Sequence, residues 1–444
     1  QYQKNLFVFP CLCFLCLTEF KCQVEIPVIL FIIYQYHSMS SLNIVIVGGG
    51  NSTHVLSALA SEAGHAVTIL TRKPEKWNTA ITCQNQDPGW LAAETRAITG
   101  TLTTITSDAA ACIPSADVVI LGGIPVHHYR SVLQQVCPHI TKSGVLLGSL
   151  CAYGGFSWLC AEALGTAAAT TCVFGTQSIP WTCGTLEYGK EGVVFGAKRH
   201  LHIAFDNESC AQTNANFQGK DVLNIIGAML RIAVVERTDF LTCTLWPNNP
   251  LFHPTVLYGL FSDWDMKTPY KVEDVPARIY ADVTQRSADY IQKMDDEMQL
   301  IVAAVKTKYP DWDKQNLCRP LRDCLIFHYA ELIEDNTNIF TILRTNKGYA
   351  KHHITYTKVS EGMVIPKVDH KFFTTDLPFG LVIYKDIALE LGVAVPVIDE
   401  LILWNQKMVS KEFMVDGALT GKDVNEGVLP SKYGGIAAAV AAAK

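Results

Sequence analysis

A run of four apolar residues followed by three glycines is the feature that most constrains the fold of this chain. Residues 44–47 are mostly β-branched, which is typical of a buried parallel strand, and Gly48 follows them directly. From Thr53 to about residue 63 the apolar spacing becomes that of a helix. A strand, a glycine turn and a helix in this order predict the opening of a βαβ unit that binds a dinucleotide.

The glycine turn predicts which residues contact the pyrophosphate of that dinucleotide. A position without Cβ lets the backbone approach the phosphates, and the N–H groups at the helix start attract their negative charge. The third position of the G-x-G-x-x-G pattern is Thr53, so we expect helix and strand to pack slightly farther apart. The predicted cofactor-binding loop consists of Gly48, Gly49, Gly50, Asn51, Ser52 and Thr53.

The end of the second strand bears on the choice of nicotinamide cofactor. NAD-binding units commonly place an acid there for the ribose 2′-hydroxyl, but residues 71–73 read Thr-Arg-Lys. The guanidinium of Arg72 is suited to a 2′-phosphate, which favours NADPH over NADH. A solvated basic loop is the alternative interpretation of these residues.

Alternation of strands and helices predicts an α/β N-terminal Rossmann domain with a doubly wound parallel sheet. Gly122, Gly123 and Ser149 follow two further strands, so they are expected to border the cofactor. We also expect a strand pair joined by a basic turn at residues 192–205. After a polar link at residues 206–218 the alternation stops, and helices are predicted at residues 277–308, 384–391 and 397–409. The predicted organisation is a Rossmann domain at residues 39–210 and an all-α C-terminal domain at residues 211–444.

The first 38 residues differ from the rest, with two apolar runs around a short polar segment. We expect translation to begin at Met39, which would make residues 1–38 an artefactual leader; a targeting or membrane leader is the alternative. Cys13 and Cys16 have a C-x-x-C spacing, but no second pair follows nearby, so no metal site is predicted.

Composition narrows the class of protein. A net charge of −6 with 18% charged residues offers no basic surface for nucleic acid. Mean hydropathy is slightly positive at +0.17, yet no uninterrupted apolar run reaches spanning length, so stable membrane insertion is not expected. The 15 cysteines are scattered, which favours reduced thiols and a cytoplasmic location. Composition leaves monomer and homodimer open.

Two segments of the C-terminal half are candidates for acid–base chemistry. His253 precedes Pro254, which we predict to be the first residue of a helix at residues 254–261. Asp376 lies in a second turn-rich segment and is a candidate partner for His253. A carboxylate that orients an imidazole beside a nicotinamide would supply general acid–base catalysis. A hydrogen-bonded structural histidine and an aspartate that caps a helix are the alternatives.

Other polar clusters are predicted to lie at the surface. Neighbouring histidines point to different faces of a helix or strand, so His127-His128 and His352-His353 are expected to be solvated. The acidic run at residues 295–297 is predicted to be the solvated face of its helix.

Four motifs together resemble the octopine/nopaline (opine) dehydrogenases. They are the GGGN glycine turn, Ser178-Ile-Pro-Trp-Thr-Cys183, Asn249-Pro-Leu-Phe-His253-Pro, and Phe372-Phe-Thr-Thr-Asp376-Leu-Pro-Phe-Gly-Leu, in the family's order. The resemblance implies an NAD(P)H-dependent condensation of an amino acid with a 2-oxo acid such as pyruvate.

The resemblance also assigns roles to residues. It implies that His253 is the acid–base residue and that Asp376 orients it. Gln177, Ser178 and Cys183 are expected near the substrate. Lys371 stands where the family commonly has an arginine facing the cofactor phosphates, and Thr375 stands where it often has an acid.

Two other functions remain open from the sequence. One is a 2-hydroxyacid or ketopantoate-type dehydrogenase on the same architecture, which product analysis for a new N–C bond would distinguish. The other is a non-catalytic NAD(P)-binding sensor, which the substitutions at Thr53, Lys371 and Thr375 would suit.

Overall fold

The computed structural model describes residues 41–92, 94–206, 217, 221–247 and 249–442. The predicted leader, residues 1–38 with Cys13 and Cys16, lies outside the described residues.

Strands dominate the first half of the described chain, with helices between several of them, and helices dominate the second half. The strands are β1 (Asn43–Val47), β2 (Ala66–Leu70), β3 (Ala80–Asn85), β4 (Ala97–Thr101), β5 (Thr104–Thr106), β6 (Val118–Leu121), β7 (Leu146–Ser149), β8 (Cys172–Thr176), β9 (Trp181–Glu187), β10 (Glu191–Ala197), β11 (His200–Phe205), β12 (Val234–Thr238), β13 (Tyr270–Lys271), β14 (Tyr356–Ser360) and β15 (Met363–Pro366). The α-helices are α1 (Asn51–Glu62), α2 (Ala109–Cys112), α3 (Tyr129–Val136), α4 (Phe156–Leu164), α5 (Val222–Leu230), α6 (Phe240–Leu245), α7 (Asn249–Phe261), α8 (Gln285–Lys308), α9 (Leu321–Tyr329), α10 (Ile339–Thr345), α11 (Lys371–Thr374), α12 (Val382–Leu391), α13 (Pro396–Met408) and α14 (Gly435–Ala442).

The main sheet has eight strands in the order β12-β11-β8-β7-β6-β1-β2-β5. The strands from β8 to β5 are parallel, which confirms the α/β prediction, whereas β11 runs antiparallel to β8. The prediction that the alternation stops at residues 206–218 is wrong. Helix α5 and strand β12 continue it, and β12 pairs with β11 beyond the predicted boundary at residue 210.

A second sheet, in the order β4-β3-β10-β9, covers helix α1. The expected pairing of the strands around residues 192–205 is wrong, because β10 lies in this second sheet and β11 lies in the main sheet. Helix α1 is therefore enclosed on two sides, and its residues from Ser52 to Ala60 are all buried. Glycines permit the close approach: a Cβ on Gly192 would lie 2.9 Å from the Cβ of His54.

The C-terminal part is mainly helical and contains one small antiparallel sheet, β13-β15-β14. Helix α8 begins at Gln285, eight residues after its predicted start, because the side chain of Thr284 accepts a hydrogen bond from the Ser287 N–H and caps the helix there. Helix α13 begins at Pro396, one residue before its predicted start, and the proline occupies the first turn. One apolar core runs from the main sheet into these helices.

The prediction that residues 295–297 form a solvated face is wrong. Asp295 is 1% exposed and Glu297 is 6% exposed, and only Asp296 faces solvent. Asp295 accepts a hydrogen bond from the backbone N–H of Leu321 at 2.9 Å. Glu297 accepts hydrogen bonds from two N–H groups at the start of α13. Both acids therefore bind the free N–H groups at helix N-termini and do not face water.

Among the described residues, no helix is both long enough and apolar enough to cross a membrane. The cysteines of this part of the chain are thiols, and most of them are buried.

Candidate active site

Two glycine loops at the ends of neighbouring strands pack backbone against backbone. Gly48 has a φ of +126°, and a Cβ added there would lie 2.9 Å from the carbonyl oxygen of Gly122. A Cβ on Gly50 would lie 2.5 Å from the carbonyl oxygen of Gly123. These contacts leave no room for side chains, which explains the glycines in physical terms. Thr53, at the third position of the glycine pattern, is fully buried, and its hydroxyl donates to the Gly122 carbonyl.

The first residues of α1 are held in place by the second sheet. Gly50 is the N-cap and no side chain caps the helix, so its first N–H groups are available to an anion. The side chain of Asn51 donates to the carbonyl of Cys183 at 3.2 Å and accepts from the hydroxyl of Thr185 at 2.8 Å. Ser52 and Cys183 are also in contact, with 3.8 Å between Oγ and Sγ. Strand β9 therefore fixes the loop that the sequence predicts to bind pyrophosphate.

Arg72 follows β2 at the same edge of the sheet, and β2 is the strand next to β1, which ends at the first glycine loop. Its side chain is exposed, and its charge lowers the pKa of His128 after the larger effect of burial. No acid occurs at residues 71–73, so the chain directly after β2 carries two exposed positive charges.

A cleft with about 600 Å³ of empty volume lies between the two parts of the chain. The N-terminal part contributes the loops after β6 and β7, and the C-terminal part contributes α7 and the segment around α11. The lining residues are Ser52, Leu121, Gly123, Ile124, Pro125, Val126, Tyr129, Ser149, Leu150, Cys151, Tyr153, Ile179, Asn249, His253, Lys371, Phe372, Thr375 and Asp376.

The structure brings His253 and Asp376 together inside this cleft. The Nδ1 atom of His253 lies 2.7 Å from Oδ2 of Asp376, and the two side chains are 7% and 3% exposed. An ionised Asp376 accepts the Nδ1 proton, which leaves Nε2 as the acceptor of the neutral ring. Asp376 makes no cap hydrogen bond to the following turn, which sets aside the alternative of a capping aspartate.

The two sequence motifs meet because a glycine of one packs on a proline of the other. Asp376 is followed by a π-helical turn at Leu377–Leu381, and a Cβ on Gly380 would lie 2.2 Å from Cβ of Pro250. The predicted helix start at Pro254 is wrong, because α7 begins at Asn249 and places His253 in its second turn. Pro250 occupies the first turn, where a missing N–H costs nothing.

Three aromatic side chains complete the surroundings of the pair. The ring of Phe372 stacks on the imidazole of His253 with centroids 3.8 Å apart. The hydroxyl of Tyr280 lies 3.3 Å from Nε2 of His253, and that of Tyr153 donates to Oδ1 of Asp376 at 3.5 Å. Burial raises the pKa of both tyrosines, and the charge of Asp376 adds to the effect, so both hydroxyls are neutral donors.

His127 joins the two walls of the cleft, and the prediction that it is a solvated surface histidine is wrong. It is half-buried, and its Nδ1 lies 2.5 Å from the hydroxyl of Thr375. Burial and, to a smaller extent, the neighbouring His128 lower the pKa of His127 to about 4, so the ring is neutral near pH 7.

Comparison with known proteins places this geometry in a family. The family model described as NAD/NADP octopine/nopaline dehydrogenase, alpha-helical domain, matches residues 236–409, and the model of the NAD-dependent glycerol-3-phosphate dehydrogenase N-terminus matches residues 43–151. Octopine dehydrogenase of Pecten maximus is 30% identical over 405 residues, which cover 89% of this chain and 97% of that protein. The chain belongs to the octopine/nopaline dehydrogenase family.

Solved structures agree with this assignment. The structure of octopine dehydrogenase in complex with NADH and agmatine has a TM-score of 0.76 at 28% identity, and the match covers 90% of this chain and 97% of that one. The octopine dehydrogenase structure with NADH and pyruvate has a TM-score of 0.72 at 26% identity, with 89% and 96% covered.

The other site residues predicted from the sequence divide into those that line the cleft and those that do not. Lys371 lies exposed at the start of α11 and lines the cleft, near the glycine loop residue Ser52. Gln177, Ser178 and Cys183 do not line it. The side-chain oxygen of Gln177 accepts from the backbone N–H of His202 at 2.6 Å, and Cys183 faces the start of α1. Ile179 is the member of that segment that reaches the cleft.

Sequence reasoning missed several residues near the octopine/nopaline dehydrogenase site. No neighbouring motif marks Tyr280, Tyr153 or Lys198 as site residues. They come from separate segments that only the fold brings together. The buried ammonium of Lys198 donates to the carbonyl of Ile179 behind the cleft wall. Burial raises the pKa of the lining thiol Cys151 to about 12, so it is protonated near pH 7.

Proposed function

We propose that this protein is an opine dehydrogenase, an oxidoreductase that acts on CH–NH groups. It joins the amine of an amino acid to the carbonyl carbon of a 2-oxo acid, with loss of water, and the resulting imine is reduced to a secondary amine. The observation that carries the proposal is the buried His253–Asp376 pair, which lies in the same cleft as the glycine loops.

The residues present fit a nicotinamide dinucleotide. The backbone-to-backbone contact of Gly50 with Gly123 and the uncapped start of α1 form a cradle for phosphates. Residues 48–53 and Gly122 would hold the pyrophosphate, Lys371 would add a positive charge, and Arg72 would contact a 2′-phosphate. Arg72 makes NADPH the proposed preference. When bound, the reduced nicotinamide supplies the hydride.

His253 is the proposed acid–base residue. Its Nε2 atom accepts a hydrogen bond from Tyr280 in the neutral state and donates a proton to the substrate in the charged state. Asp376 holds the Nδ1 proton and stabilises the imidazolium, and Tyr153 shares the remaining oxygen of that carboxylate. Phe372 covers the ring and keeps water from its face. These residues polarise the keto oxygen and later supply the proton to the product.

The substrate carboxylates require positive charge or N–H donors in the cleft. We still propose that Ser178 and Cys183 lie near the bound substrate. Within their segment, however, Ile179 is the residue that lines the cleft. For Gln177 we propose an indirect role, because its side chain supports the backbone of β11.

Two further proposals concern organisation. We place the boundary between the Rossmann domain and the catalytic domain after β12, near residue 238 and not at residue 210, because β12 completes the main sheet. We propose a cytoplasmic location because the described cysteines are thiols.

The test follows oxidation of NADPH and of NADH with pyruvate, with and without a pooled amino-acid mixture. Oxidation that requires both the oxo acid and the amines, with a product that contains a new N–C bond, is the expected result. Oxidation with pyruvate alone would identify a 2-hydroxyacid dehydrogenase instead. Binding of both dinucleotides without turnover would identify a sensor.

A further inference from the structure

Three ligand-type side chains meet at the edge of the main sheet, outside the residues that line the cleft. His200 and His202 are two positions apart on β11, so their rings project from the same face of the sheet. Glu236 lies on the edge strand β12 in register with His202. Two strands therefore present two imidazoles and a carboxylate to one point.

The ligand-type atoms of this cluster lie near the spacing that a tetrahedral ion requires. Oε2 of Glu236 lies 2.9 Å from Nε2 of His200 and 3.2 Å from Nε2 of His202, and one ligand atom from each residue lies within 4.8 Å of the others. Atoms bound about 2.0–2.2 Å from a tetrahedral zinc ion are separated by roughly 3.3–3.6 Å. Small shifts of these side chains would complete such a site.

His202 is the member of the cluster that ordinary hydrogen bonding does not explain. Its side chain is 1% exposed, its Nδ1 has no hydrogen-bond partner among the described residues, and its Nε2 lies 3.2 Å from Oε2 of Glu236. The ion pair of Glu236 with His200 has hydrogen-bond geometry, whereas the same carboxylate oxygen faces His202 without it. A buried polar atom with a poorly aligned partner is costly, and a bond from Nε2 to an ion at this point would satisfy that nitrogen.

The surrounding rings hold the two imidazoles in place. The rings of His200 and His202 stack with centroids 4.8 Å apart, Phe327 lies 5.0 Å from His200, and Trp246 lies 5.8 Å from His202.

We propose that His200, His202 and Glu236 bind one divalent transition-metal ion, with zinc as the best match. Two imidazoles and one carboxylate are a ligand set that zinc accepts, and the 48% exposure of the Glu236 side chain leaves a fourth position open to water. The bound ion would tie the edge strand β12 to β11. The site is independent of the His253–Asp376 pair and of the proposed turnover.

The test uses the full chain after treatment with a chelator that is then removed. Co²⁺ is titrated while its visible absorption is recorded, and Zn²⁺ is added afterwards in competition. We expect one equivalent of Co²⁺ with a tetrahedral spectrum that lacks a thiolate charge-transfer band, and displacement by Zn²⁺. The variants His200→Asn and Glu236→Gln should each weaken this binding at least about tenfold.

Both substitutions fall on partly exposed side chains, and dinucleotide binding reports whether each variant is folded. The matched control is His353→Asn, an exposed histidine outside the cluster, which should leave Co²⁺ binding unchanged. Absence of a tetrahedral Co²⁺ signal in the original chain would overturn the proposal. Equal binding by the Glu236→Gln variant and the original chain would overturn it as well, and the cluster would then be an ion pair only.

Discussion

At the scale of single residues, the expected chemistry of His253 follows from the partners of its two ring nitrogens. The imidazole is buried, and each nitrogen has a different partner. Nδ1 is fixed by Asp376, whereas Nε2 contacts a neutral tyrosine hydroxyl that a substrate oxygen can replace. The proton at Nε2 is therefore the mobile one. This arrangement requires the carboxylate, because an amide at the same position would stabilise the imidazolium far less.

The first prediction is that Asp376→Asn lowers kcat by about 10²–10⁴-fold, the range that positioned acid–base groups supply. The amide keeps the size of the side chain, so dinucleotide binding, measured by fluorescence titration, should be unchanged. His253→Ala should lose turnover in the same way. Near-normal kcat in either variant would contradict the proposed dyad.

The second prediction concerns Arg72, whose exposed side chain follows β2. If its guanidinium contacts a 2′-phosphate, Arg72→Ala should raise the KM for NADPH about tenfold and leave that for NADH nearly unchanged. Lys73→Ala, at the adjacent exposed position, is the matched control. Equal effects of Arg72→Ala on both cofactors would remove the basis for an NADPH preference.

At the scale of secondary-structure elements, α8 carries a buried acid that links pH to stability. Burial raises the pKa of Asp295 to about 7, and the charge of Asp296 adds to this effect. In the unfolded chain the group titrates near pH 4. Between these values the folded protein binds more protons than the unfolded chain, so the free energy of unfolding falls as pH rises from about 4 to about 7.

The third prediction is that Asp295→Asn removes this part of the pH dependence. The side-chain oxygen can still accept from the Leu321 N–H, and the variant should be more stable than the original chain at pH 8 by about 1–3 kcal/mol. Urea unfolding at pH 5 and pH 8 measures the difference. Asp296→Asn, at the exposed neighbouring position, should keep most of the original slope. A variant that is no more stable at pH 8 would contradict the inference.

The fourth prediction concerns the contact between α7 and the turn after Asp376. A Cβ on Gly380 would collide with Pro250, so Gly380→Ala should shift α7 and lower kcat by about 10²-fold, as misplacement of about 1 Å does. Gly196→Ala is the control, because its nearest neighbour would be 4.0 Å away. Circular dichroism and dinucleotide binding establish that both variants are folded. Full kcat in the Gly380 variant would show that the contact does not position His253.

The elements that could be predicted from the sequence are those determined by residues adjacent in the chain. The strand β1, the glycine turn and α1 follow from adjacent residues, and Pro396 marks the start of α13. The second sheet was not predicted, because the parallel pairing of β3 with β10 joins segments about a hundred residues apart. His253 was assigned to a helix start because Pro254 follows it, while the true start at Asn249 depends on packing against Gly380.

At the scale of the whole molecule, the cleft exists because two parts of the chain meet, and a hydrogen bond crosses it. His127 belongs to the loop after β6 and Thr375 to the segment after α11, and their side-chain atoms are 2.5 Å apart. In this contact a neutral hydroxyl faces a neutral imidazole. The contact therefore joins the walls without adding charge beside Asp376.

The last prediction is that Thr375→Val weakens this junction while keeping the volume of the side chain. One neutral hydrogen bond contributes about 0.5–1.5 kcal/mol, so kcat/KM for the oxo acid should fall roughly 2–10-fold. Thr374→Val is the matched control, because the hydroxyl of Thr374 donates only within its own helix, to the His370 carbonyl at 3.4 Å. The cofactor dissociation constant should be unchanged in both variants, since the glycine loops lie on one side of the cleft. If the two substitutions had equal effects, the hydrogen bond between His127 and Thr375 would not contribute to kcat/KM on its own. The apolar core beneath the cleft would then hold its two walls together.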